Sequence, residues 1–179
     1  MISHPRQLTK AMLFMLAAIL SSAPSLALGV VAKAEASEGK RVIGDHLVEE
    51  LPVGDITPDE LLSAFPRYRG GYEGFAVEPL YLPEDVSVLM FFGTWCHDSE
   101  REVPRLLKLL ETAGLNDDKL TLIALDYRKR EPEGRATKFN VRYTPTPIFL
   151  RDGEEVARIV ERPNTSLYED IKAMFADID

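Results

Sequence analysis

The chain has 179 residues, 45% of them hydrophobic, which suffices for one domain with a real core and is too few for two large ones. Its 29 Asp and Glu against 21 Lys and Arg give a formal net charge of -8, which argues against nucleic acid or an anionic lipid surface as partner. One cysteine excludes any disulfide within the chain, so stability has to come from the core alone.

The beginning of the chain differs in kind from the rest. Arg6 and Lys10 precede the apolar run Ala11 to Leu20, and small residues follow through Ser25-Leu26-Ala27. A basic start, a short apolar core and a small-x-small site predict a secretory signal peptide over residues 1–27, with Ala32-Lys33-Ala34 as a second cleavage pattern. The competing expectation is an uncleaved membrane anchor, because no charge occurs from Ala11 to Ala32 and about 20 apolar residues span a bilayer. Ser21, Ser22, Pro24, Ser25 and Gly29 weigh against it. Removing residues 1–27 takes away Arg6 and Lys10 and no acid, which leaves a formal charge of -10. The expected product is an acidic exported protein, periplasmic or secreted.

Residues 28–45 are small and charged with no period, as expected of a flexible leader, and the domain is expected over 46–179. Thr57-Pro58-Asp59-Glu60 carries an N-cap residue, proline at the first helical position and an acid three residues after the cap, which predicts a short helix through Leu61, Leu62 and Phe65. Pro66 to Pro83, rich in glycine and aromatic residues, has no clear period and is expected to be irregular. Its mix of arginine, glycine and tyrosine would suit RNA only in a less acidic chain. Val86 to Phe92 is apolar and β-favouring with little alternation, as in a central strand buried on both faces. Val103, Leu106, Leu107 and Leu110 then recur at helical spacing, so Cys96 falls where a strand hands over to a helix N-terminus.

Further on, Leu120 to Leu125 predicts another buried strand, Tyr127 to Gly134 a charged loop and Arg135 to Asn140 a short helix. Asp152-Gly153 between Ile148–Leu150 and Glu155–Val160 predicts an antiparallel hairpin. Asn164 or Thr165 is the expected cap of a last helix with Leu167, Ile171, Met174 and Phe175 facing inward. The order strand, helix, strand, helix, hairpin, helix predicts an α/β fold of three layers, a mixed central sheet with helices on both faces.

A helix N-terminus is where a thiolate gains most, since the free N–H groups of the first turn favour an anion. Residues three apart share a helix face, so the Ser99 hydroxyl can donate to the Cys96 sulfur. A protonated His97 would act in the same direction, Asp98 against it, and Arg101 would offset Asp98. His4, His46 and His97 do not assemble a tetrahedral zinc site with Cys96, and neither a metal nor a cofactor is expected. A Cys–His hydrolase would need His46 from the leader region.

Trp95-Cys96-His97-Asp98-Ser99 resembles the Trp-Cys-x-x-Cys site of the thioredoxin superfamily, with serine in the position of the second cysteine. Tyr143-Thr144-Pro145-Thr146-Pro147 and the strand and turn after it are similar to a second segment of that family, and Pro104 matches the kink-forming proline of its active-site helix. The resemblance covers residues 86–179. It implies a thioredoxin-like fold, a cis bond at Thr144-Pro145, and a shallow groove for an extended substrate with Thr144 as its edge and Trp95 as an apolar wall. Cys96 and Ser99 are then the expected catalytic residues, and Trp95, His97, Thr144 and Pro145 the expected substrate contacts. The partners implied are protein or small-molecule thiols and disulfides, with a membrane involved only if the N-terminal segment stays uncleaved.

Two departures bear on the chemistry. With Ser99 the mixed disulfide cannot be resolved internally, so an outside thiol has to release Cys96. The family's buried acid on the central strand, six residues before the cysteine, is here Met90. Both also fit a rival expectation, a binding module that keeps the fold and performs no redox cycle.

Overall fold

The computed structural model describes residues 40–43, 46–49 and 51–176. The signal-peptide expectation and most of the expected leader lie outside them. The end of that leader forms a strand, β1 (Lys40–Ile43), which pairs antiparallel with β2 (His46–Glu49).

A five-stranded sheet carries the remaining architecture. Its strands are β3 (Gly54–Ile56), β4 (Val86–Phe92), β5 (Leu120–Ala124), β6 (Thr146–Arg151) and β7 (Glu154–Arg158), in the spatial order β3-β5-β4-β6-β7. The sheet is mixed. β4 runs parallel to β5, with Met90 opposite Leu122, and antiparallel to β6, with Met90 opposite Pro147. The hairpin between β6 and β7 turns through Asp152 and Gly153, both at positive φ, as a two-residue turn matching the strand twist requires.

Strand alternation assigns the core to two faces. Val86, Val88, Met90 and Phe92 of β4 join the larger cluster with Leu122, Ala124 and Phe149. Helices α1 (Pro58–Ala64), α2 (Pro66–Glu73), α3 (His97–Thr112) and α5 (Leu167–Met174) add Leu61, Tyr68, Leu106 and Ile171 to it. The odd residue Phe91 joins Ile123, Leu125, Ile148 and Ala136 of α4 (Arg135–Lys138) on the other face. Helices thus cover both faces, and the fold is α/β and thioredoxin-like. Each fully buried Phe or Leu side chain contributes about 1.5–3 kcal/mol to that core.

Local chemistry explains the element ends. Thr57 closes a full capping box, its Oγ1 accepting from the Glu60 N–H at 3.2 Å while the Glu60 carboxylate accepts from the Thr57 N–H at 2.8 Å. The cap of α5 is Ser166, not Asn164 or Thr165, because Asp170 reaches back to accept from the N–H groups of both.

The segment after Pro66 is also corrected, since it begins with helix α2 instead of irregular chain. Pro66 supplies the first turn, and Tyr68 and Tyr72 lie on one face four residues apart. Gly70 and Gly71 hide the helix from a propensity reading. At Gly71 a Cβ would stand 2.9 Å from Pro104 Cγ, so the glycine is what lets α2 approach α3 at its internal proline.

Candidate functional site

Cys96 is the N-cap of α3, in extended conformation between β4 and the helix. Its N–H donates to the Gly93 carbonyl at 2.9 Å, and its carbonyl accepts the first intrahelical bond from Glu100 at 3.0 Å. The thiol is half-buried and donates to the Thr144 carbonyl at 3.2 Å. The Thr144-Pro145 peptide beside it is cis.

Opposed influences act on the thiol. Burial raises its pKa. Hydrogen bonding from the Thr144 side chain, from the N–H and hydroxyl of Ser99 and from the N–H of Asp98 lowers it, and the net direction is down. The N–H donors are those of the first helical turn, which aim at the sulfur because Cys96 sits one position before it. Ser99 is fully buried under the sulfur, where its Oγ accepts from the Gly93 N–H at 3.3 Å.

Trp95 is fixed by contacts that sequence reasoning did not find. Its Nε1–H donates to the Leu125 carbonyl at 3.0 Å, the Tyr127 ring lies 4.9 Å from it, and the Lys129 ammonium stands 4.2 Å from its ring. The indole also lies against Gly93, where a Cβ would meet Trp95 Cε2 at 2.6 Å. Tyr68 donates from below to the Gly93 carbonyl at 3.2 Å, and its burial holds the phenol well above the usual range. Tyr127, Lys129 and Tyr68 belong to other elements, so no local pattern marks them; an aromatic next to a basic residue just after a buried strand was the only hint.

The remaining candidates sit around this centre. His97 is 87% exposed, with Nδ1 3.7 Å from the Glu100 carboxylate. Asp98 is held by Arg101 at 3.0 Å and by Arg162 at 3.2 Å, so two cations offset its charge near the sulfur. Met90 is 1% exposed inside the core. The structure therefore gathers Cys96, Ser99, Thr144 and Pro145 into one place, sets Trp95 beside them, and leaves His97 outward. Among the described residues no group of three His, Cys, Asp or Glu side chains is placed to hold a metal ion.

Such an arrangement can present a sulfur nucleophile beside a backbone edge. No family model matches the chain. It is 35% identical over 88 residues to a thioredoxin of Staphylococcus saprophyticus, covering 49% of this chain and 80% of that protein. It is also 35% identical over 85 residues to a thioredoxin of Staphylococcus haemolyticus, covering 47% and 77%. Among solved structures, the germline-specific thioredoxin Deadhead of Drosophila melanogaster is 22% identical with a TM-score of 0.38, over 54% of this chain and 83% of that one. A thioredoxin of Fasciola hepatica is 26% identical with a TM-score of 0.34, over 43% and 68%.

Proposed function

The chain belongs to the thioredoxin superfamily, and from that premise we propose that it is an exported protein using Cys96 as the single nucleophile of thiol–disulfide exchange. The Cys96 thiolate attacks one sulfur of a partner disulfide; a bond forms to Cys96, the partner's own S–S bond breaks, and its second sulfur leaves as thiolate. Ser99 offers no thiol to complete the cycle, so an external thiol attacks the mixed disulfide and frees Cys96. Thr144 and Pro145 are the edge along which the partner lies, and Trp95 is the wall.

The observation that carries this reading is a half-buried cysteine at a helix N-terminus whose pKa is lowered by hydrogen bonding from the Thr144 side chain and the first-turn donors. Trapping tests it. Protein isolated from its native compartment under thiol-blocking conditions carries disulfide-linked partners that reductant removes and Cys96→Ser abolishes. A second reading, a binding module without a redox cycle, draws on the buried Met90 and on Ser99. It is favoured instead if Cys96 alkylates no faster than a free thiol of pKa about 8.5 and traps nothing.

Export is part of the same proposal, with residues 1–27 removed before a domain over 46–179. N-terminal sequencing of the exported product checks it: a mature start at Leu28, or after Ala34, supports cleavage, and a retained Arg6 and Lys10 supports an anchor.

A further inference from the structure

The geometry points to a carboxylate subsite beside Cys96, so that the favoured partner is an acidic polypeptide whose disulfide is flanked by Asp or Glu; this rests on the exchange reading above. A cavity of about 390 Å³ is lined by Asn140, Arg142, Tyr143, Thr146, Arg158 and Val160. Tyr143 and Thr146 bracket the Thr144-Pro145 bond, and the Thr144 carbonyl is 3.2 Å from the sulfur. No acid lines the cavity; Arg158 is held by Glu155 and donates to the Phe139 carbonyl at 3.0 Å, which leaves the Arg142 guanidinium, the Asn140 amide N–H groups and the Tyr143 phenol to donate to a carboxylate.

The charge around the sulfur points the same way. Residues 126–146, which supply both loops bordering Trp95 and Cys96, hold six Lys and Arg against three acids in a chain of net charge -8. Three acids near the site are already engaged, Asp98 by Arg101 and Arg162, Asp126 by Arg130, and Glu155 by Arg158; Glu161, whose N–H donates to the Pro145 carbonyl at 2.8 Å, has no such partner among the described residues. Among the described residues Arg142 touches only the Asn140 side-chain oxygen, at 3.2 Å, and neither Arg128 nor Lys129 has an acid within ion-pair distance. Cations on both loops suit a chain that runs past the sulfur better than a single small anion. Elsewhere the acidic surface repels such a partner, so its approach is steered to this face.

Three disulfide peptides of equal length, with Glu, Gln or Lys flanking the cystine, test the subsite by the rate of mixed-disulfide formation with the full chain. The Glu peptide reacts about tenfold faster than the Lys peptide at low salt, and the difference collapses in 1 M salt, where the screening length is about 3 Å. Arg142→Gln lowers the Glu-to-Gln rate ratio about fivefold, as expected for loss of one charge-assisted contact at a partly open site, and Arg142→Lys recovers part of it. A cysteine-free Glu peptide separately titrates the Cys96→Ser protein by NMR, with shifts that Arg142→Gln removes. Equal rates for all three peptides overturn the subsite while leaving exchange intact. Arg142-dependent binding with no mixed disulfide from any peptide supports the subsite and sinks the exchange reading. If neither binding nor charge preference is seen, the subsite is refuted.

Discussion

The Cys96 sulfur and the Thr144 carbonyl oxygen lie 3.2 Å apart across 48 residues of sequence. The contact joins the first turn of α3 to the segment entering β6, and these two elements are neighbours because β4, which leads into α3, pairs with β6 directly. The sheet itself therefore sets the backbone at Thr144 beside the sulfur.

The alkylation rate of Cys96 rises with pH through a midpoint below that of a free thiol, and Ser99→Ala moves the midpoint upward by removing a donor to the thiolate. The same linkage acts on stability. A folded-state thiol pKa below the unfolded value, about 8.5, contributes stability fully only above that value, and loses it as pH falls through the folded pKa. Urea denaturation of the wild type against Cys96→Ala, between the two pKa values, shows a difference growing with pH. A flat difference would mean that the thiol is not perturbed.

Gly93→Ala pushes a Cβ to within 2.6 Å of the indole, against ring atoms that the Leu125 carbonyl and Tyr127 hold in place. Overpacking of this kind costs about 1–3 kcal/mol. Trp95 is the only tryptophan, so its fluorescence reports the displacement directly: the variant shows red-shifted emission and a lower urea midpoint. Unchanged emission would place the strain elsewhere.

Tyr68→Phe keeps the ring that packs on Phe65 and Phe92 and leaves the Gly93 carbonyl without its 3.2 Å donor. The carbonyl keeps its 2.9 Å bond from the Cys96 N–H, so the cost is that of one hydrogen bond, about 0.5–1.5 kcal/mol, read as a lower midpoint with an unchanged urea slope. A loss confined to Cys96 reactivity with no change in stability would show that the bond positions the loop without holding the fold.

How much of this was legible in the sequence follows from the range of each interaction. The Thr57 capping box, the Asp152-Gly153 turn and the apolar run into Cys96 are local patterns, and each lies in the structure where its spacing puts it. Helix α2 was missed because Gly70 and Gly71 lower its propensity, and of the two only Gly71 is explained by a contact, with Pro104 33 residues further on. The three residues of β3 are too few to show a period. At the site, Cys96 and Ser99 were readable from helix geometry, whereas the platform of Tyr127 and Lys129 around Trp95 exists only once β5 has been laid beside β4. The cavity at Arg142 and Arg158 likewise needs β7 folded back on β6.

Ser99→Cys tests whether the serine alone limits the proposed chemistry. Position 99 lies one helical turn below Cys96, fully buried and in contact with the Gly93 N–H, so a thiol there faces the first sulfur without moving the backbone. The variant is expected to form an internal disulfide between Cys96 and the introduced thiol, seen as a loss of two hydrogens in the intact mass, and to reduce the disulfides of insulin catalytically where the wild type does not. Resolution also needs a proton removed from the buried second thiol, and the strand position six residues before Cys96, where the resemblance implies an acid, holds Met90, 1% exposed in the core. A Ser99→Cys protein that forms the bond yet turns over slowly therefore assigns the block to Met90. The double variant with Met90→Asp then gains turnover while losing several kcal/mol of stability, because an uncompensated carboxylate enters an apolar core. If Ser99→Cys folds but forms no disulfide under oxidation, the two positions do not face each other as the helix requires, and the assignment of Ser99 beneath the nucleophile fails.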